Sequence, residues 1–335
     1  MAVFKPENVE DFYEIREVLG SGHFGQVRRV CERTSGTCWA AKFMKLRKNA
    51  CSRLGLERSS VEREVEILQA VQHPNIVTLK DVFESRAEVV LILELVNGGE
   101  LFDFIAEKEN LLESEAIEFM KQILAGLGFM HSKNIAHFDL KPENIMLSDK
   151  VSAHPTVKLI DFGLAYFFNQ GEEYRSTSGT PQYIAPEVIN CEPLSTAFHS
   201  CCVLSVLRLS GLSPFQGETK EETLGNIIAM QYDFDERYFS TTSSMAKDFI
   251  EKLLVKNPNA VICFQPITRK QVANRNRSSI NMKTFKKFNA RRKWKVMFKS
   301  SCNDFFPLQR QCESDVEDTE SKPASLLRRR LSSSS

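Results

Sequence analysis

Hydrophobic and polar positions along the chain mark out a small set of elements. Val89-Val90-Leu91-Ile92-Leu93-Glu94-Leu95-Val96 is a nearly continuous apolar run, the mark of a buried strand, and Asn97-Gly98-Gly99 breaks it. Trp39-Ala40-Ala41-Lys42-Phe43-Met44 reads as a second strand, interrupted by the charge of Lys42. Between them Val61, Leu68 and Val71 share a helical face, and Glu64 falls on that face, three after Val61 and four before Leu68. Ser59 and Glu62 have the spacing of a capping box at its start. Leu112 to Ser132 has helical periodicity. Lys283 to Lys299 holds eight Lys or Arg and no acid, with Phe285, Phe288, Trp294 and Phe298 interleaved, which predicts a basic amphipathic helix.

Length and composition bound the rest. The 335 residues, 42% hydrophobic and 26% charged, suit a globular protein of one large or two modest domains. A net charge of +1 argues against a general nucleic-acid binder. No apolar run approaches the roughly 18 residues of a membrane helix, and Met1 to Asp11 lacks a signal-peptide core. The nine cysteines, without C-x-x-C spacing, read as reduced thiols of a cytoplasmic protein.

Candidate chemistry lies in His137-Phe138-Asp139-Leu140-Lys141-Pro142-Glu143-Asn144 and in Asp161-Phe162-Gly163. Asp139 can take a proton from an attacking hydroxyl. Lys141 can neutralise a migrating phosphoryl group. Asn144 and Asp161 are hard oxygen ligands suited to Mg²⁺. This is the kit for phosphoryl transfer, in which the protein mostly positions groups and spreads charge. Leu19-Gly20-Ser21-Gly22-His23-Phe24-Gly25-Gln26-Val27 is a Gly-rich turn between strand-like runs, and glycine lets backbone approach phosphates. By itself such a turn is equally a plain hairpin; its place ahead of the other motifs favours nucleotide binding. Lys42 alone would read as a snorkelling edge lysine. Glu64 on an apolar face needs a cationic partner, because burying a carboxylate unpaired is expensive, and Lys42 is the candidate.

With Ala185-Pro186-Glu187 following, these motifs resemble a protein kinase. The resemblance implies an α+β, bilobal fold with a small β-rich N-lobe and a larger helical C-lobe, and ATP with Mg²⁺ between them. It implies that residues Leu19 to Val27 and Ala40 bind the nucleotide and that Lys42 and Glu64 hold its α- and β-phosphates. The backbone of Glu94 and Val96 would meet the adenine at the hinge, and Glu100 the ribose or a basic substrate residue. Asp139, Lys141 and Asn144 would be catalytic, with Asn144 and Asp161 on the metal.

Gly98-Gly99-Glu100-Leu101-Phe102-Asp103-Phe104, His137-Phe138-Asp139 and Phe4-Lys5-Pro6-Glu7-Asn8-Val9-Glu10 together resemble the death-associated protein kinases, which are calmodulin-regulated Ser/Thr kinases. Glu143 and Glu100 then stand where basophilic members recognise Arg or Lys of the substrate. Phe138 stands where many kinases have the Arg that grips an activation-loop phosphate, so activity is expected not to require phosphorylation of Ser176, Thr177 or Ser178. Lys45 to Arg53 matches a basic loop linked to dimer contacts. Gln182 replaces the usual Glu.

Two stretches depart from the family. At residues 195–209 its acidic residue and Met-Trp-Ser-x-Gly are replaced, and no Asp or Glu occurs from Leu194 to Gly217. At residues 259–267 the Arg that pairs with Glu187 is missing. Both changes have the look of alternative splicing or a gene-model error.

The basic helix reads from its residues as a calmodulin target, a membrane-surface helix or a plain solvated one. The family resemblance implies an autoregulatory segment that blocks the substrate cleft until Ca²⁺–calmodulin withdraws it, with Phe285, Phe288, Arg291, Arg292, Lys293, Trp294 and Phe298 on calmodulin and Ser300 or Ser301 as an autophosphorylation site. Cys312 to Glu320 is acidic and poor in core residues, hence disordered. The Arg-rich, Ser-rich end resembles a short family member, and a phosphorylated Ser there suits a 14-3-3 adaptor.

The expected layout is an N-terminal extension (1–12), a kinase domain (13–262, with lobes 13–95 and 96–262), an autoregulatory and calmodulin-binding segment (263–310) and a disordered tail (311–335). The expected function is calcium/calmodulin-regulated transfer of the ATP γ-phosphate to Ser/Thr of basic substrates such as myosin light chain, in apoptosis and autophagy signalling. The rival is a catalytically impaired variant acting as a calmodulin-binding adaptor.

Overall fold

The computed structural model describes residues 4–22, 25–47, 55–150, 152, 155–169, 173–176, 185–194, 215, 217–240, 242–254 and 282–301. A short helix, α1 (Val9–Phe12), leads into a five-stranded antiparallel sheet. Its strands are β1 (Tyr13–Gly22), β2 (Gly25–Glu32), β3 (Cys38–Lys45), β4 (Leu79–Glu84) and β5 (Glu88–Leu93), in the order β1-β2-β3-β5-β4. The apolar run ends as a strand at Leu93, and Glu94 to Val96 continues as irregular backbone. Its interior residues Val89 to Ile92 are all buried, because β5 lies between β3 and β4 with both faces covered.

Helix α2 (Arg58–Ala70) packs on this sheet through Val61, Val65, Ile67 and Leu68. Here the expected capping box does not form. The helix starts two residues earlier, its N-cap is Glu57 without a side-chain bond, and Glu62 turns to Arg58 at 2.7 Å. A salt bridge to a full cation thus takes the carboxylate that the box would need.

The expectation of reduced thiols is also corrected. Cys31 and Cys38 are joined in a disulfide. The β2–β3 hairpin sets them directly opposite each other in register, a juxtaposition that the seven-residue separation conceals. Cys191 is free.

The second lobe is mainly helical. It contains α3 (Leu101–Glu107), α4 (Glu113–Ser132), the short strands β6 (Ile135–Ala136), β7 (Ile145–Leu147), β8 (Val157–Leu159) and β9 (Tyr166–Phe167), then α5 (Pro186–Ile189), α6 (Lys220–Ala229), α7 (Glu236–Phe239), α8 (Ser244–Leu253) and α9 (Met282–Ser301). Helix α4 buries Phe119, Ile123, Leu127 and Met130, and so delivers the chain to the loop after β6. One apolar cluster runs from α2 and β5 through α4, β7 and β8 to Phe285 of α9. Residues 195–209, 259–267 and 311–335, Gln182, and most of the basic loop before α2 lie outside the described residues. Among the described residues no helix is long and apolar enough to cross a membrane.

Candidate active site

Sheet register places the first functional side chain. Lys42 pairs with Val27 of β2 on one side and Leu91 of β5 on the other. Its Nζ reaches Glu64 Oε1 of α2 at 2.7 Å and Asp161 Oδ1 at 3.0 Å. Burial alone would favour the neutral amine, but the Coulombic pull of Glu64 and Asp161 outweighs it and raises the Lys42 pKa. Asp161 is half-buried, which would raise its pKa; Lys42 pulls it below the ordinary carboxylate value. A fixed cation and a fixed anion therefore face one cleft.

The loop after β6 supplies the second group. His137 is fully buried, bonded through Nε2 to the Ile160 carbonyl at 3.0 Å, and its ring lies 4.9 Å from that of Phe162. Next along, Phe138 takes a left-handed φ of 57°. This turns Asp139 towards the cleft, where its carboxylate contacts Lys141 Nζ. The Asn144 amide donates to the Asp139 carbonyl at 2.8 Å and to its carboxylate at 3.2 Å. Asn144 is fixed by a 3₁₀ turn, Pro142–Asn144.

Phe138 is itself buried. Its ring packs on Phe168 at 5.9 Å and Tyr174 at 5.6 Å, and Tyr166 stacks on Tyr174 at 3.7 Å. Aromatic contact thus anchors the start of the activation segment where many kinases use an Arg–phosphate pair. Ser176 is among the described residues; Thr177 and Ser178 are outside them.

The Gly-rich turn is built for close approach. At Gly25 φ is +137° and a Cβ would meet the Phe43 carbonyl oxygen at 1.8 Å, so only glycine fits. A Cβ on Gly20 would meet nothing within 4 Å. Gly20 to Gly22 lie on β1, and Gln26 and Val27 on β2; His23 and Phe24 are outside the described residues. Ala40 lies beside Leu93 in register, which brings it to the hinge end of the sheet. There the Glu94 carboxylate accepts from Lys158 at 2.8 Å, and the Glu94 amide donates to the Thr78 carbonyl at 2.8 Å. The donor set fits a nucleotide with a divalent metal: Lys42 for phosphate oxygens, Asp161 and Asn144 for a hard cation.

A second cluster lies beside this cleft and involves α9. Met282, Phe285, Asn289 and Arg292 form a buried stripe at helical spacing, while Lys283, Lys286, Lys287, Arg291 and Lys293 are exposed. Phe285 stacks on Phe102 of α3 at 5.5 Å, and Phe288 meets Phe102 edge-on at 6.5 Å. Arg292, 6% exposed, reaches Glu100 at 2.5 Å, Glu143 at 3.0 Å and Asp103 at 3.8 Å. Lys293 also contacts Asp103, and Asn289 donates to it at 2.8 Å. Burial would raise the Asp103 carboxyl, but these contacts hold it below the ordinary value.

The sequence singled out Glu100, Glu143 and Arg292 separately; the fold brings them together. Asp103 was not assigned a site role. Its only signal was its position in the acidic, Gly-rich Gly98–Phe104 stretch. The side chains of Trp294 and Phe298 lie outside the described residues. Glu187 is half-buried, and burial pushes its carboxyl up; among the described residues it makes no ion pair.

Residues 13–272 match the protein kinase domain family. Over its whole length the chain is 49% identical to death-associated protein kinase 2 of Mus musculus and 48% identical to that of Homo sapiens, covering 97% of each. The chain belongs to the death-associated protein kinase family. It is also 43% identical, over 85% of its length, to death-associated protein kinase dapk-1 of Caenorhabditis elegans, of which it spans 21%. Among solved structures it is similar to a twitchin kinase region of C. elegans, with a TM-score of 0.77, 36% identity, 88% of this chain and 52% of that one covered. An autoregulated twitchin kinase fragment gives a TM-score of 0.78 and 37% identity, with 89% of this chain and 66% of that one covered. As a death-associated protein kinase the chain has the bilobal kinase fold and is a protein serine/threonine kinase that uses ATP and a divalent metal.

Proposed function

We propose that this kinase is held off by its own helix α9 and released when Ca²⁺-loaded calmodulin binds that helix. The observation that carries the reading is Arg292, buried among Glu100, Asp103 and Glu143 beside the catalytic loop. A substrate that offers Arg or Lys near its Ser or Thr would need the same carboxylates. The helix therefore stands in for such a substrate. Phe285 and Phe288, two of the aromatic anchors a calmodulin lobe would take, are spent on Phe102 in this state. Kinase docking and calmodulin binding then compete for one face of α9. The twitchin fragment described as autoregulated supports the reading by analogy.

In the released enzyme ATP with Mg²⁺ supplies the phosphoryl group and the charge that offsets its oxygens. Lys42, held by Glu64, would fix phosphate oxygens; Asn144 and Asp161 would hold the metal; the backbone of Glu94 and Val96 would receive the adenine. Asp139 would accept the proton of the substrate hydroxyl as that oxygen bonds to the γ-phosphorus and the bond from phosphorus to the β,γ-bridging oxygen breaks, releasing ADP, while Lys141 would offset charge on the group in transfer. The proposed setting is cytoplasmic apoptosis and autophagy signalling, with myosin light chain among the substrates, a 14-3-3 adaptor on the phosphorylated tail and a homodimer through the basic loop.

The test is phosphorylation of a basic Ser peptide with Mg-ATP, with and without Ca²⁺–calmodulin, beside Asp139→Ala. Activity that rises with calmodulin and vanishes in the variant supports the proposal. Glu187, which lacks an ion pair among the described residues, favours a second reading, a catalytically impaired calmodulin-binding adaptor. Folded protein that binds calmodulin and transfers no phosphate would establish that one instead.

A further inference from the structure

Arg58 occupies the first position of α2, where the helix dipole disfavours a cation, and no side chain caps the helix there. Its guanidinium bridges the helix and the sheet. Nη1 and Nη2 together grip the Glu84 carboxylate at the end of β4, the second bond at 3.0 Å, and Nε holds Glu62 at 2.7 Å. The guanidinium carbon lies over the Phe4 ring, 5.8 Å from its centroid. Phe4 is fixed in turn. The next residue, Lys5, joins the free edge of β4 through two backbone bonds, to the Val82 carbonyl and from the Glu84 amide, each 2.9 Å. Lys5 Nζ and the Tyr13 hydroxyl share the Asp81 carboxylate at 2.6 and 2.7 Å.

We infer that residues 4–13 form a strap that, through Phe4 and Arg58, clamps the first turn of α2 to β4 and so sets the reach of Glu64 to Lys42. Arg58 is a positioning residue for the phosphate-binding lysine, and Phe4 is its support. The inference rests on the kinase role of the Lys42–Glu64 pair. Glu64 lies six residues along the same helix, about 9 Å at 1.5 Å per residue, so a swing of the first turn moves its carboxylate. The pair has little tolerance at 2.7 Å, and a displacement of about 1 Å in a catalytic group can cost on the order of a hundredfold. The helix itself does not depend on Arg58. Its buried face is Val61, Val65, Ile67 and Leu68, and the Arg58 side chain is 52% exposed. Truncation should therefore shift α2 rather than unfold it.

The experiment uses the full chain with Ca²⁺–calmodulin and two readouts, peptide phosphorylation and the affinity for a fluorescent ATP analogue. Arg58→Ala is expected to lower kcat/KM for ATP about tenfold and to weaken the analogue, with a melting temperature close to the parent's. Phe4→Ala should give a smaller loss of the same kind. Arg58→Lys, which keeps a cation for Glu84 and Phe4, should keep most of the affinity. In a Glu64→Gln background Arg58→Ala should change little, because the group through which it acts is already gone. Parent-like nucleotide affinity in Arg58→Ala would overturn the inference, as would equal losses with and without Glu64. If the parent binds nucleotide but transfers no phosphate, the proposed function fails, and the affinity arm still decides the strap.

Discussion

Substituting Arg292 separates docking of α9 from the catalytic machinery. Arg292 is 6% exposed and pairs with two carboxylates, at 2.5 Å to Glu100 and 3.0 Å to Glu143. Charge-assisted bonds of this kind contribute about 1.5–3 kcal/mol each to a net equilibrium. Part of that is recovered when the freed carboxylates meet water on undocking. A net loss of about 2–3 kcal/mol for Arg292→Ala is therefore reasonable, which shifts the docked-to-undocked ratio by about 30- to 150-fold. Phe285, fully buried, contributes on the order of 2 kcal/mol of apolar burial and remains in the variant. Docking should thus weaken without vanishing. Lys293→Ala is the internal comparison: its side chain is 49% exposed, so its pair with Asp103 is worth no more than about 1 kcal/mol. The assay is calmodulin-free phosphorylation of a basic Ser peptide. Arg292→Ala should raise that basal rate towards the calmodulin-stimulated one, and Lys293→Ala should raise it a few-fold at most. A variant at position 292 that keeps the parent's low basal rate and full calmodulin dependence would refute the autoinhibitory reasoning.

Other outcomes follow from the same contacts. Asp139→Ala should reduce phosphoryl transfer by at least about a hundredfold while leaving nucleotide affinity near the parent's in an analogue-binding titration. Replacing Ser176, Thr177 and Ser178 together by Ala should leave the calmodulin-stimulated rate comparable to the parent's, because Phe138, Phe168 and Tyr174 anchor the segment start; a large loss would show that a phosphate grip exists. His131 is half-buried, and its desolvation pushes its pKa down to about 4 from 6.5. The unfolded chain then binds the extra proton first, so stability is full above pH 6.5 and falls below it. Between pH 7.5 and 5.5 this site should cost about 1.4 kcal/mol, and His131→Gln should lose that much less in urea melts over the same range. Reduction of Cys31–Cys38 removes a short closed loop and should cost about 2.4 kcal/mol in the loop-entropy account, read as a lower melting temperature with reductant that Cys38→Ser no longer shows.

Spacing alone in this chain determined the local chemistry and the periodic elements. Asp139, Lys141 and Asn144 lie within six residues of one another, so a loop and a 3₁₀ turn suffice to bring them together. Glu64 betrayed its cationic partner because a carboxylate on an apolar helical face has few alternatives. The strand containing Lys42 and the helix before the catalytic loop were legible because burial of one face imposes its period on the residues. The tertiary structure decided the rest. The start of α2 moved, and Glu62, which the local cap would have used, pairs instead with Arg58, which Glu84 of β4 also holds. The disulfide depended on hairpin register, which the spacing of Cys31 and Cys38 does not reveal. Asn289 and Arg292 on the buried stripe of α9 look like errors of amphipathicity in one dimension. They make sense only against Asp103, Glu100 and Glu143, which precede them by more than a hundred residues. A sequence records the cost of burying such a charge, but the carboxylates that offset it are brought near only by the folded chain.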